Sequence, residues 1–180
     1  MRKPLPAILG VAVLAVFAGC EKAPEKVAEK VLESAMQKDG TKAKVDLSSG
    51  GARITTTDAA GKTSQVEMGV STVTESDLGV PFYPGTKPLE GQATKISTPD
   101  GSAMTVMLHS DDAPAKVAEF YRERLKAQAQ GKQIMDLSSG DGNTTLVLAD
   151  DKAKSSIQVH VNKGDKGTDI QIMASRGAGK

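Results

Sequence analysis

Five features of this chain carry residue types that do chemistry. They are the single cysteine, Cys20; the two histidines, His109 and His160; the triplet Gly61-Lys62-Thr63; the twice-occurring Asp-Leu-Ser-Ser-Gly; and the acidic stretches Asp141-Gly142-Asn143 and Asp150-Asp151. A thiolate is a nucleophile and metal ligand, and imidazole carries protons or binds metals. Gly-Lys-Thr closes phosphate-binding loops, serine joins His and Asp in hydrolases, and clustered Asp oxygens hold calcium.

Spacing removes most of these. A phosphate loop needs a glycine five places before Gly61, where Thr56 stands, and a helix after it, whereas the triplet falls between two expected strands and reads as a hairpin turn. No Gly-x-Ser-x-Gly elbow is present. Asp-Leu-Ser-Ser-Gly reads as a turn whose glycine supplies positive φ. Neither acidic stretch has the ligand spacing of a calcium loop, so both read as solvated turns. His109 alternates out of phase with Met104, Val106 and Leu108, and His160 with Ile157, Val159 and Val161. Both histidines are therefore expected on the sheet face away from the helix, exposed. Were their strands neighbours, they could share a divalent metal with Asp169 or Glu67, although a site needs three or four converging ligands. His109 and His160 are the weak metal candidates. No cofactor is expected.

The elements that would position these residues follow from a repeat. Residues 23–50 align without a gap on 113–140 with 13 identities in 28, including Asp46-Leu47-Ser48-Ser49-Gly50 against Asp136-Leu137-Ser138-Ser139-Gly140. This is the signature of an internal duplication. In the first copy Pro24 suits an opening helical turn, Val27, Val31, Leu32, Ala35 and Met36 fall on one stripe, and Gly40 stops the helix. In the second, Asp112 is the expected N-cap before Pro114, and Val117, Phe120, Tyr121 and Leu125 make the stripe. Strands follow at 43–47, 52–57 and 62–68, then at 133–137, 144–149, 155–162 and 168–174. A hairpin, 93–98 with 103–109, precedes the second helix.

The expected fold class is therefore α+β, in two related modules, α-βββ and ββ-α-ββββ, each a helix packed on an antiparallel sheet. The domain reading is 1–19 signal peptide, 20–74 N-terminal module, 75–91 connector, 92–175 C-terminal module and 176–180 disordered tail. The connector holds Pro81, Pro84 and Pro88 and is expected to be non-helical. Phe82 and Tyr83 within it are expected to pin it to the second module's helix.

At the N-terminus Arg2 and Lys3 precede an uncharged apolar run from Leu5 to Phe17, then Ala18 and Gly19. A membrane-spanning helix needs about 20 apolar residues, so this run reads as an export signal. Phe17-Ala18-Gly19-Cys20 resembles the lipobox of bacterial lipoproteins, with Phe17 in place of the usual Leu. The resemblance implies a diacylglycerol on the Cys20 thiol, cleavage before Cys20, and acylation of the new amine. It also implies the outer membrane, facing the periplasm, because Glu21 stands where Asp signals inner-membrane retention in enterobacterial lipoproteins. Residues 80–125, through Pro81-Phe82-Tyr83-Pro84-Gly85 and Phe120-Tyr121, resemble small envelope lipoproteins of uncharacterised function. A sole cysteine can form no internal disulfide, and acylation accounts for it.

Composition bounds the remainder. The chain has 23 Lys and Arg against 22 Asp and Glu, and removing Arg2 and Lys3 leaves 21 against 22. No concentrated basic run follows, which argues against nucleic acid as a partner. The expected function is a membrane-anchored lipoprotein with a non-enzymatic binding or structural role, partnered by the membrane through Cys20 and by another envelope protein. The alternative is a small-ligand or metal-binding lipoprotein with a pocket between modules. A hydrolase stays open because triads assemble from distant positions. Only Glu21, Lys22 and Ala23 separate Cys20 from the first helix, so that module is expected to lie at the headgroups with Lys22 and Lys26 near phosphate.

Overall fold

The computed structural model describes residues 25–37, 40–47, 50–69, 72–139 and 142–178. The signal peptide, the lipobox, Cys20, Lys22, Pro24, Ser48, Ser49, Gly140 and Asp141 lie outside the described residues. The elements are α1 (Glu25–Met36), β1 (Lys42–Asp46), β2 (Ala52–Thr57), β3 (Thr63–Met68), α2 (Glu75–Leu78), β4 (Thr94–Thr98), β5 (Gly101–Ser110), α3 (Pro114–Ala127), β6 (Gln133–Ser138), β7 (Thr144–Asp150), β8 (Ser155–Lys163) and β9 (Thr168–Gly177). All nine strands join one antiparallel sheet in the order β1-β2-β3-β4-β5-β9-β8-β7-β6. The helix-plus-sheet class therefore stands, with one sheet carrying both halves of the repeat.

The core lies under α3. Alternation puts Met104, Val106 and Leu108 of β5, Ile170, Ile172 and Ala174 of β9, Val159 and Val161 of β8, and Leu146 and Leu148 of β7 on one face. Val117, Ala118, Tyr121 and Leu125 of α3 close over that face. Pro114 opens α3 in its first turn, where the missing N–H costs nothing. The N-cap is Ala113, not the expected Asp112, and makes no side-chain cap. Asp112 is instead engaged by Tyr83 and Lys116. Arg122 fastens α3 to β6 through Asp136 at 2.6 Å and also pairs with Glu119.

The expected connector is part of this core and is partly helical. Thr74-Glu75-Ser76-Asp77 forms a reciprocal capping box, and Gly79 closes the single turn of α2 in the left-handed region. Val73, Leu78, Val80 and Tyr83 are buried in the core. Proline density hid α2 because the turn ends before Pro81. Tyr83 packs edge-on against Phe120, ring centroids 5.2 Å apart, and near Tyr121 at 6.5 Å, so this aromatic does pin the segment to α3. The chain end is also more ordered than expected. Arg176 and Gly177 pair with Ser102 and Gly101 in the sheet, and Arg176 donates to the carbonyls of Ser76 and Asp77.

The largest departure is α1. Its stripe was expected to pack on the strands, yet no residue of α1 is buried, and Val27, Val31, Leu32 and Met36 are 50%, 62%, 44% and 37% exposed. The helix meets β1 with its other side. The Val45 N–H donates to Glu33 Oε1 at 2.9 Å, the Leu47 N–H to Glu29 Oε1 at 2.8 Å, and Gln37 Nε2 to the Ala43 carbonyl at 3.4 Å. Glu29, Glu33 and Gln37 stand four residues apart on one line of the helix. Among the described residues β2 is the one strand beside β1, and α1 supplies partners for backbone groups on the other edge. The physical reason for the departure is that β1 offers an edge of polar backbone, which selects the carboxylate line over the apolar one.

Candidate functional site

His109 is the penultimate residue of β5, where the register sets it opposite Asp169 of β9. Its Nδ1 lies 2.8 Å from Asp169 Oδ1, and its Nε2 3.9 Å from Asp111 Oδ1. The neighbouring Ser110 projects to the core face, where its Oγ accepts from the Asp112 N–H. A hydroxyl on the opposite face cannot be activated by this imidazole. His160 sits on β8 with Thr145 Oγ1 at 3.0 Å from its Nδ1. Both histidines lie on the face away from α3, as expected, but they are half-buried and not exposed, because Asp169 and Thr145 from adjacent strands cover one side of each ring. Strand β9 lies between β5 and β8, so the two histidines are not neighbours. Glu67, on β3, pairs instead with Arg53 at 2.6 Å. Among the described residues no three His, Cys, Asp or Glu converge on a metal position.

Asp112, beside His109, ties three elements together. Its carboxylate accepts from the Tyr83 hydroxyl at 2.6 Å and from Lys116 Nζ at 3.0 Å, and its carbonyl accepts from the buried Thr168 Oγ1 at 2.6 Å. The Tyr83 and Lys116 hydrogen bonds hold the Asp112 carboxyl below the usual carboxylate range. Burial, aided by Asp112, pushes the Tyr83 hydroxyl up, so it stays a donor. An open groove of about 560 Å³ runs here between Tyr83, Pro84, Phe120 and the charged Lys116, Glu119 and Glu123. It contains neither histidine.

Of the repeated Ser-containing segment, the described residues of the second copy form a strand end. Asp136, Leu137 and Ser138 belong to β6, and the Ser139 N–H donates to the Asn143 carbonyl across the turn. Gly61-Lys62-Thr63 lies in the β2–β3 hairpin, where Asp58 Oδ1 accepts from the Ala60 and Lys62 N–H groups.

What the chain does present is apolar surface. Every residue of β6 is exposed, and it pairs with β7 alone among the described residues. Met135 and Leu137 stand opposite Val147 and Thr145 on the face away from α3, and Leu137 is 62% exposed. Ile96 and Met68 are exposed farther along the same face. The sequence identifies the α1 stripe but not its exposure, and does not reveal the β6 surface, for one reason: an apolar pattern looks the same whether or not anything covers it.

No curated protein and no solved structure matches the chain. Residues 91–172, less than half of the chain, which hold β4, β5, α3, β6, β7, β8 and the first part of β9, are similar to the family described as START domain-like.

Proposed function

We propose that the chain is a lipid-anchored protein of the cell envelope, held through Cys20, that works by binding another envelope protein and not by catalysis. The lipobox resemblance of Phe17-Ala18-Gly19-Cys20 supports the anchor. The observation that carries the binding reading is the exposed edge strand β6, with Met135 and Leu137 beside Val147. An apolar sheet face ending in an edge that pairs with one strand among the described residues is the kind of surface a partner covers or extends by a strand. The finer fold reading, two related modules, is supported by the 23–50 and 113–140 repeat and by the shared order of one helix and three hairpin-linked strands in 25–68 and 114–163. The two helices differ in how they dock.

Affinity capture of the lipidated protein from its native envelope, with and without Met135→Glu and Leu137→Glu, tests the binding reading. The double variant should keep its fold, since both side chains are exposed, and lose the partner that the parent retains. Retention of the same partner at the same yield would overturn the assignment of this surface. By the Glu21 resemblance, the protein should band with the outer membrane on a density gradient, and banding with the inner membrane would refute that placement.

A further inference from the structure

The hydrogen bonds that hold α1 come from Glu29, Glu33 and Gln37, against β1 with its buried Ala43 and Val45, whereas Val27, Val31, Leu32, Ala35 and Met36 of the helix are exposed. At about 100° per residue, Glu29, Glu33 and Gln37 share one line of the helix, while Val27, Val31, Leu32, Ala35 and Met36 centre about 150° round from it. Both glutamates are spoken for by the β1 backbone. The helix is thus fixed with its apolar stripe turned outward, which is the reverse of how a globular protein docks an amphipathic helix. Solvated surface is a poor place for two valines, a leucine and a methionine spread over one half of a 12-residue helix.

We propose that the membrane itself covers them: α1 lies in the bilayer interface with Val27, Val31, Leu32, Ala35 and Met36 among the upper acyl carbons. This rests on the reading of Cys20 as the lipid anchor. Two observations favour lipid over a protein partner. Glu25, the first residue of α1, comes five residues after Cys20, so covalent geometry keeps the helix start within about 17 Å of the anchored residue. A helix of 12 residues is also a small protein interface, since a stable one engages about 20–30 residues a side. For a protein already held by acyl chains, a short apolar stripe is sufficient to orient it. Lys26 lies on the polar side with Glu29 and Glu33, so it is the apolar stripe, and not this lysine, that meets the lipid.

The orientation has a consequence for the rest of the molecule. Strand β1 and strand β6 are opposite edges of the nine-stranded sheet. Laying α1 on the bilayer sets β1 nearest the lipid and leaves β6, with its exposed Met135 and Leu137, at the far edge, where a partner can reach it.

The experiment uses the mature lipidated protein in vesicles of phosphatidylethanolamine and phosphatidylglycerol. An environment-sensitive fluorophore is attached at Ala35→Cys, in the middle of the stripe, or at Lys26→Cys on the polar side; Cys20 is blocked by its own acylation. Ala35 is exposed, so neither change disturbs packing. The probe at 35 should shift to the blue and lose most of its emission to a quencher carried high on the lipid acyl chains. The probe at 26 should do neither. Equal, water-like emission at both positions in vesicle-bound protein overturns the proposal while leaving the anchor intact. Shielding of position 35 only when other envelope proteins are added also overturns it, in favour of a protein partner. Mass spectrometry of the same preparation separates the two readings. An unmodified Cys20, or protein that stays off the vesicles, removes the anchor and this inference with it.

Discussion

Removing the two carboxylates that hold α1 is the perturbation with the sharpest local signature. Glu29 and Glu33 accept from the Leu47 and Val45 amides at 2.8 and 2.9 Å, both partly buried. A hydrogen bond to a charged group contributes about 1.5–3 kcal/mol, and partial exposure places these at the lower end. Glu29→Ala with Glu33→Ala should therefore cost about 1.5 kcal/mol at each amide, which is roughly a tenfold change in an opening equilibrium. Hydrogen exchange is the assay, because it reads opening residue by residue. The Val45 and Leu47 amides should exchange about tenfold faster or more in the double variant, with Glu→Gln at both sites giving a smaller effect, since the amide oxygen still accepts without charge. Amides of Val106, Val159 and Ile172 should not change, because the core cluster begins at Val73 and contains no residue of α1 or β1. Unchanged exchange at Val45 and Leu47 would refute the edge-capping role of α1. A fall in global stability would refute its independence from the core.

Three further outcomes follow from the geometry. The Tyr121 hydroxyl is buried and finds no hydrogen-bond acceptor among the described residues, and burial, opposed by the Tyr83 backbone, pushes its pKa far up. Tyr121→Phe should leave stability unchanged or raise it by up to about 1 kcal/mol, and a loss larger than that in denaturant unfolding would show that the hydroxyl has a partner. Asp136, through Arg122, Asp112, through Tyr83 and Lys116, and Asp77, through the Thr74 backbone, all have depressed pKa values. Their stabilisation is therefore fully present above the ordinary aspartate value of about 4 and is lost as pH falls through the lower folded values. The thermal midpoint should drop below about pH 4, less steeply in Asp136→Asn; an unchanged slope in that variant would contradict the sign. Gly167 has φ 70°, and a Cβ there would lie 2.1 Å from the Ser110 carbonyl oxygen. Gly167→Ala should destabilise by about 2 kcal/mol or more, and a neutral result would show that the β8–β9 turn can move away from β5.

Strand positions were largely legible because alternation survives in β5, β8 and β9, where one face is core and the other is polar. The expected limits of β2, β3, β7 and β8 agree with the observed ones to within a residue. The docking of α1 was not legible. Periodicity identifies an amphipathic helix but not its partner. The polar line Glu29, Glu33, Gln37 was visible, though its target depended on β1 being an edge, which only the assembled sheet order shows. The turn of α2 could have been found from Thr74-Glu75-Ser76-Asp77, a capping-box pattern masked by the prolines after it. The node at Asp112 was out of reach: its partners Tyr83 and Thr168 stand 29 and 56 residues away in sequence. The histidines were placed on the correct face, but their separation by β9 follows from the chain returning through β6, β7 and β8 before pairing with β5.

The central claim is the anchor, and one measurement addresses it directly: intact-mass and N-terminal peptide analysis of the protein purified from its native membrane. Lipidation requires a chain that begins at Cys20, with a diacylglycerol on the thiol and an acyl group on the amine, and a Cys20→Ala variant recovered in the soluble periplasmic fraction. A native protein that retains residues 1–19, or that begins elsewhere with an unmodified Cys20 thiol, would contradict it.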